Sequence, residues 1–439
     1  GTMKTEIGVG LIGFGTVGTG VARVLLENAD LIRRRVGVPI KLVRIADLDI
    51  TRDRGVAIPP GVMTTDIQQV LTDPRVDIVI ELMGGYDLAK RVILDAVQRG
   101  KHVVTANKAL LAVHGEEIFA AASRQGIDLG FEASVGGGIP VIRALTEGLA
   151  ANNIQSIYGI INGTSNYILS RMTSEGQRFD VVLEEAKRAG YAEADPTFDV
   201  AGIDSAHKLT IMVSLAYGTP VNFKEIYTEG ITGLTPLDIA YAKEFGFTIK
   251  LLAIAKFSDG EIEARVHPTM VPSASQIAKV DGVYNAIQLV GDAVEDVVLY
   301  GRGAGSMPTG SAVVSDVMSI ARDMLKNASG RVPPASYQPD QRRPLRMRPM
   351  EEITSLYYIR FMVLDRPGVL SQIAGVLGRY GISISSVLQQ GRKEGQTVPV
   401  VIMTHMAKER DIQNALREIN PMPYISEPTT LIRVEGRDE

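Results

Sequence analysis

The sequence predicts an α/β protein of three units: a parallel-sheet βαβ unit, a central α+β unit and a small βαββαβ unit. Three observations carry that reading. From Ile7 to Asp128, short β-rich runs (IGVGLIG, IKLVRIA, VDIVIEL, KHVVTA) alternate with helix-length segments, the pattern of βαβ units around a parallel sheet. A G-x-G-x-x-G stands directly after the first run. A Pro- and Arg-rich stretch at 331–350 is followed by strand, helix, strand, strand, helix, strand, from SLYYIRFMV to TLIRV. The first unit is thus Rossmann-like and the last ferredoxin-like.

At 439 residues the chain exceeds what one core holds, since single cores rarely grow past about 250–300 residues. Expected boundaries are 1–135, 136–310 and 353–439. Residues 331–352 read as a linker, and a helix near 310–330 is expected to pack back onto the first unit. Hydrophobic residues make up 45% and charged residues 22%, and no apolar run approaches the roughly 18 residues of a membrane span. A net charge of −4 gives no general attraction to phosphate backbones, so neither nucleic acid nor membrane is an expected partner. Cysteine is absent, which excludes disulfides, thiolate metal sites and Cys nucleophiles and fits a cytoplasmic location. Gly1-Thr2 before Met3 reads as an expression remnant, with no signal peptide behind it.

Taken in order, GLIGFGTVGTGV sets Gly13, Gly15 and Gly18 between a strand and a helix with apolar Val17, Val21, Val24 and Leu25. The first glycine permits the tight turn, the second lets backbone approach a pyrophosphate, and the third allows close helix packing. Phe14, Thr16 and Val17 complete this dinucleotide-binding turn. At the end of the second strand, Asp47 and Asp49 suit a ribose 2′-hydroxyl, while Arg52 and Arg54 suit a 2′-phosphate, so NAD and NADP both stay open. After the fourth β-rich run, TANK places Thr105, Asn107 and Lys108 beyond the carboxyl end of a sheet strand, where open α/β sheets bind ligands. The plainer reading of Lys108 is a surface residue. FEASVGGGIP is either a strand-to-helix turn or a bend aiming carbonyl oxygens and the Glu132 carboxylate at one cation.

YAEADPTFDVAGIDSAHK, from Tyr191 to Lys208, holds four carboxylates, one His and one Lys. Asp204 and Lys208 stand four apart and share a helix face with Ile211 and Leu215. An i,i+4 surface pair is the bland reading, worth about 0.2–0.5 kcal/mol. Leu209 to Ala216 has almost no polar side, however, so the helix is expected to be buried, and a buried ion pair without a use rarely helps stability. Lys208, perturbed by burial, can give a proton to a carbonyl oxygen, and Asp204 or Glu193 can hold an ammonium group. His207 reads as structural.

These motifs, with NGTSNYIL at Asn162–Leu169, resemble homoserine dehydrogenases in order and spacing over about residues 5–325. The resemblance implies NAD(P)-dependent interconversion of L-homoserine and L-aspartate 4-semialdehyde, in the branch leading to threonine, methionine and isoleucine. By position it implies Lys208 as proton donor, Glu193 and Asp204 as substrate ligands, Asp199 as a supporting acid, and Lys108 beside nicotinamide and substrate. It also implies a structural sodium or potassium ion held by Glu132 and the carbonyls of Val135, Gly137 and Ile139, and a return of GRGAG to the cofactor through Gly303. Ala46 stands where the family often has a basic or small polar residue, so NAD is expected to serve at least as well as NADP. DRPGVLSQIAGVLGRYGISI is similar to ACT domains, which implies an amino-acid effector, threonine being the expected one, and family members suggest a homodimer or homotetramer. Residues beyond about 350 are therefore expected to regulate and to be removable without loss of catalysis. A phosphorylating semialdehyde dehydrogenase is set aside for want of a Cys nucleophile. A cofactor sensor without catalysis is set aside because Glu193, Asp204 and Lys208 are all present.

Overall fold

The computed structural model describes residues 4–389 and 395–436; Gly1, Thr2 and Met3, with the expression remnant expected there, lie outside the described residues. The β-rich runs of the first unit become β1 (Ile7–Ile12), β2 (Ile40–Ala46), β3 (Met63–Thr64), β4 (Ile78–Glu81), β5 (His102–Thr105) and β6 (Leu129–Gly130). They form one parallel sheet in the order β3-β2-β1-β4-β5-β6, the Rossmann arrangement. β1 and β4 are buried throughout, as strands covered by helices on both faces must be. The first helical segment is not continuous. It breaks at Asn28 into Thr16–Glu27 and Ala29–Val36.

Helix Ser306–Leu325 packs on helix Thr16–Glu27 through Val313, Val314 and Val317 against Val21, Ala22 and Leu25. Gly20 and Gly310 meet at the crossing, where a Cβ on Gly310 would lie 2.8 Å from the Gly20 carbonyl carbon. The chain thus leaves the Rossmann unit after Gly130, at the end of β6, and comes back to it at Ser306.

The second sheet has 12 strands. Its central-unit strands are β7 (Ile154–Ile160), β8 (Tyr227–Thr228), β9 (Phe247–Ser258), β10 (Glu261–Pro272), β11 (Tyr284–Gly291) and β12 (Glu295–Arg302). The carboxy-terminal segment adds β13 (Arg346–Met347), β14 (Thr354–Leu364), β15 (Ile384–Gln389), β16 (Thr397–Thr404), β17 (Ala407–Lys408) and β18 (Ile425–Val434). The main order is β12-β11-β7-β9-β10-β18-β14-β16-β15, with β8 and β13 also pairing β10 and β17 pairing β14. Helices Val369–Arg379 and Glu409–Ile419 cover the βαββαβ strands through Ile373, Val376, Leu377, Ile412 and Leu416. That is the ferredoxin-like domain.

It is not a separate bead on a string. β10 and β18 pair in parallel, Thr269 with Arg433 and Met270 with Val434, so one sheet runs through both units. Segment 331–352 is poor in regular structure, as its prolines require, yet it is docked along the central unit. A Cβ on Gly218 would lie 2.6 Å from the Tyr337 ring, Arg342 binds Glu116 and Ser214, and Arg346 and Arg348 bind Glu261. The expectation of a freely removable tail meets a shared sheet and a fastened strap.

Candidate active site

The glycine-rich turn is built on steric necessity. Gly13 has φ +101°, and a Cβ there would meet the Leu82 carbonyl oxygen at 2.7 Å. Gly18 sits against the Gly13 carbonyl, which brings the helix start onto the turn. Gly15 has nothing within 4 Å of an added Cβ, so its backbone presents an open face beside exposed Thr16 and half-buried Val17. Asp47 ties strand end to turn: Phe14 N donates to its Oδ2 at 2.7 Å, and Arg54 Nη2 donates to its Oδ1 at 3.2 Å. Arg54 also donates to the Phe14 carbonyl and lies 4.7 Å above the Phe14 ring. Asp49 is occupied by Thr51 and the Arg52 amide.

At the carboxyl ends of β4 and β5, buried Glu81 accepts from Thr105 Oγ1 at 2.8 Å and from the Met83 and Gly84 amides. Thr105 Oγ1 in turn accepts from the Asn107 amide, and the Asn107 side chain caps helix Lys108–Gln125 through the Leu110 amide. Lys108, the first residue of that helix, is thereby aimed across the cleft, where its Nζ lies 3.0 Å from Asp204 Oδ1.

Asp204 starts helix Ile203–Tyr217, which is buried from Asp204 to Tyr217. Its other oxygen, Oδ2, accepts from Lys208 Nζ at 2.7 Å and from Asn162 Nδ2 at 2.9 Å. Lys208 Nζ also donates to the Ile161 carbonyl at 2.7 Å. Asn162 caps helix Gly163–Glu175 through Oδ1 and, with Nδ2, reaches Asp199 at 2.6 Å as well as Asp204. Glu193 is exposed, and among the described residues its carboxylate takes no hydrogen bond.

The second loop cluster is packed as one body. The Gly138 amide donates to the Arg302 carbonyl, and the backbones of Gly137 and Gly303 touch, a Cβ on Gly137 lying 2.5 Å from the Gly303 carbonyl carbon. Ser306 Oγ donates to the Thr16 carbonyl at 2.7 Å, which carries GRGAG to the nucleotide-binding turn. Glu132 accepts from the Ile142 and Arg143 amides, and the Ile139 carbonyl accepts from Val141 N.

The profile of the homoserine dehydrogenase NAD binding domain matches residues 13–132, the homoserine dehydrogenase profile matches 140–318, and the ACT domain profile matches 357–422. A homoserine dehydrogenase of Neisseria gonorrhoeae is 47% identical over 98% of this chain and 99% of its own. The chain belongs to the homoserine dehydrogenase family. A crystal structure of a homoserine dehydrogenase from Thiobacillus denitrificans superposes with TM-score 0.93 at 47% identity, covering 98% of each chain. A hyperthermophilic archaeal homoserine dehydrogenase in complex with NADPH superposes with TM-score 0.60 at 27% identity, covering 72% of this chain and 97% of that one. This chain is accordingly an NAD(P)-dependent oxidoreductase of amino-acid biosynthesis with a carboxy-terminal ACT domain.

Within this homoserine dehydrogenase fold, electrostatics separate the two lysines. Burial lowers the affinity of Lys208 for its proton, the Asp204 carboxylate opposes that, the Lys108 charge adds to it, and the net shift is downward. Burial acts on Lys108 in the same sense, but Asp204, Asp199 and Glu193 together hold it above the ordinary lysine value. Asp204 itself is pushed up by burial and pulled further down by the two ammonium groups and Asn162, so it stays ionised. Two neighbouring groups of one chemical type displaced in opposite directions can hold different protonation states over one pH range.

Several residues of this arrangement escape sequence reading. Asn162 carries one signal, an Asn before Gly-Thr-Ser at a helix start. Glu81 carries another, an acid closing an apolar strand. Asn285 carries none: it is fully buried, both polar atoms of its side chain lack partners among the described residues, and it packs on Gly303. Among the described residues no group of three or more His, Cys, Asp and Glu side chains is placed to hold a metal, and no helix is long and apolar enough to cross a membrane.

Proposed function

We propose that the chain interconverts L-homoserine and L-aspartate 4-semialdehyde with NAD or NADP, and that Lys208 moves the proton. The observation that supports this most is a single carboxylate, Asp204, holding two lysines of opposite pKa displacement at the carboxyl end of a Rossmann sheet. A nicotinamide held at this turn would supply the hydride acceptor for C4 of homoserine and, in reverse, the hydride donor for the aldehyde carbon. As that hydride leaves, the hydroxyl proton passes to the unprotonated Lys208 amine and the C–O bond becomes the carbonyl; in the reverse direction the protonated amine gives its proton to the aldehyde oxygen. Lys108 keeps its charge and balances Asp204. Asp204 is a tether for both lysines, with both oxygens engaged. Glu193 and Asp199 are then the carboxylates that receive the substrate ammonium.

Gly13, Phe14, Gly15, Thr16, Val17, Gly18, Thr105, Lys108 and Gly303 would hold the cofactor, with Asp47 at the ribose. Arg54 pairs with Asp47, which weakens the repulsion of a 2′-phosphate by that carboxylate, and the archaeal relative solved with NADPH supports NADP as one of the two cofactors. The oxygen donors Glu132, Val135, Gly137 and Ile139 suit a sodium or potassium ion, since a carboxylate or carbonyl already accepting an amide still has lone pairs. In the ACT domain, Asp365, Arg366, Gly368 and Ser371 line a cleft of about 440 Å³ at the start of helix Val369–Arg379, and threonine is the proposed inhibitor there. The proposed assembly is a homodimer or homotetramer; β12, at one end of the large sheet with Tyr300 exposed, offers an edge for it.

The test is homoserine-dependent reduction of NAD and of NADP by the purified chain. Turnover with both is expected, with kcat/KM values within about a hundredfold, roughly 2.7 kcal/mol. Turnover with neither overturns the reading, and a larger preference for NADP shows that Arg52 or Arg54 dominates the ribose site.

A further inference from the structure

Glu229 lies outside the site just described, yet it stands between the ACT domain and the turn that carries the substrate acids. It follows β8, donates its amide to the Val266 carbonyl at 2.8 Å, and is half-buried. Its Oε1 accepts from Tyr227 Oη at 2.7 Å and from Nη1 of Arg433, on β18 of the ACT domain, at 3.1 Å. Arg433 cannot follow Glu229 freely: it is 1% exposed, its Nε and Nη2 are fixed on Glu409, and its guanidinium lies 5.3 Å over the Tyr227 ring.

On its other side the same segment is the backing of the active-site turn. Gly230 presses against Val200 and Ala201, where a Cβ would lie 2.5 Å from the Ala201 Cα. The Ile231 amide donates to the Val200 carbonyl at 2.8 Å, and Ile231 is fully buried. Gly202, in left-handed conformation with φ +81°, packs on Thr228 and the Glu229 carbonyl and starts the helix bearing Asp204 and Lys208. Asp199 precedes Val200 and is held by Asn162. The contacts therefore run without a gap from Arg433 through Glu229, Gly230 and Val200 to Asp199 and Asp204. Beside the pair a cleft of about 810 Å³ separates the two units, lined also by Arg360, Gln413 and Thr430, so Glu229 has space on one side and close backing on the other.

We propose that Glu229 is a positioning residue, through which the placement of Arg433 in the ACT domain sets the placement of Asp199 and Asp204 in the substrate site. This rests on the reading that Asp199 receives the substrate ammonium and that Asp204 holds the two lysines beside it. Coupling through such packed contacts needs an element with two arrangements biased from both ends, and the 228–231 segment touches both, Glu229 meeting Arg433 while Gly230 and Ile231 meet Val200 and Ala201.

The experiment compares Glu229→Ala with Lys256→Met in the full-length chain. Lys256 also makes an ion pair across the same junction, to Glu435, but no contact described above leads from it to the 199–204 turn. The expectation is a rise of about five-fold in KM for homoserine for Glu229→Ala, with KM for the cofactor unchanged and kcat largely kept, and no rise for Lys256→Met. Glu229→Gln, which keeps the shape and the Tyr227 hydrogen bond, should restore at least part of the homoserine affinity. Equal KM for wild type and Glu229→Ala overturns the proposal, as does an equal rise for homoserine and cofactor. Asp199→Asn is measured in parallel: if it leaves KM for homoserine unchanged, the reading of the substrate site fails; if it raises KM while Glu229→Ala does not, only the positioning role fails.

Discussion

Asp204 and Asp238 are both buried aspartates gripped by cations, one in the active-site cleft and one at the junction with the ACT domain. Asp204 is 4% exposed and held by Lys108, Lys208 and Asn162; Asp238 is fully buried and held by Arg360 at 2.6 and 3.1 Å and by Tyr358 at 2.9 Å. Their difference lies in the cation. An ammonium group taken out of water can lose its proton, and Lys208 is displaced in that direction, whereas a guanidinium keeps its charge and burial spends itself on geometry. The same holds for Arg265, fully buried between Glu263 and Glu435, and for Arg433 on Glu409. Burial of an ion pair therefore does not by itself mark function, although in the sequence it is what singles out Lys208. Burial of a pair that can titrate is the sharper criterion.

The comparison breaks first at Lys208. Lys208→Ala should lower kcat by about 10²–10⁴-fold, the usual contribution of an acid–base group, and leave cofactor affinity intact by fluorescence titration. Lys208→Arg restores a charge beside Asp204 but not a removable proton, and should be nearly as inactive; more than about a tenth of wild-type kcat in either variant sinks the distinction.

Next in size is the junction. Arg360→Met leaves Asp238 buried without its cation and should destabilise the chain by about 3–5 kcal/mol in denaturant titration, while the folded fraction keeps its kcat. Ending the chain after Pro349 removes Arg360, Tyr358, Glu435 and the β18 partner of β10 at once, so insoluble or unfolded protein is the expected product. That reverses what the sequence suggests. A soluble, active truncated enzyme would show that the central unit tolerates those buried charges alone.

The pH dependence sharpens the contrast further. In the proposed mechanism homoserine oxidation needs Lys208 unprotonated, and its pKa is lowered by burial, so kcat for oxidation should rise with pH to a plateau reached below the ordinary lysine value of 10.5. Aldehyde reduction needs the protonated amine and should fall over the same interval, whereas the Arg360 junction titrates in neither. A midpoint at or above the ordinary lysine value contradicts the assignment. The smallest effect belongs to Glu193, exposed and, among the described residues, without a hydrogen bond. Glu193→Gln should raise KM for homoserine several-fold and leave cofactor affinity unchanged, and equal loss of both would remove Glu193 from the substrate site.

What the sequence determined alone is everything set by local spacing. The three glycines of the first turn, the short β-rich runs of β1, β2, β4 and β5, the i,i+4 placement of Asp204 and Lys208, and the βαββαβ order of the tail each follow from steric or pattern rules acting over a few residues. Tertiary structure alone decided that Lys108, from 96 positions away, and Asn162, from 42, close on the same carboxylate. It also decided that β18 extends the sheet of β10, that segment 331–352 is fastened along the central unit, and that Arg433 meets Glu229. Each of these depends on which faces of distant elements are left to be covered once the local ones have formed, and one chain's residue spacing carries no information about that choice.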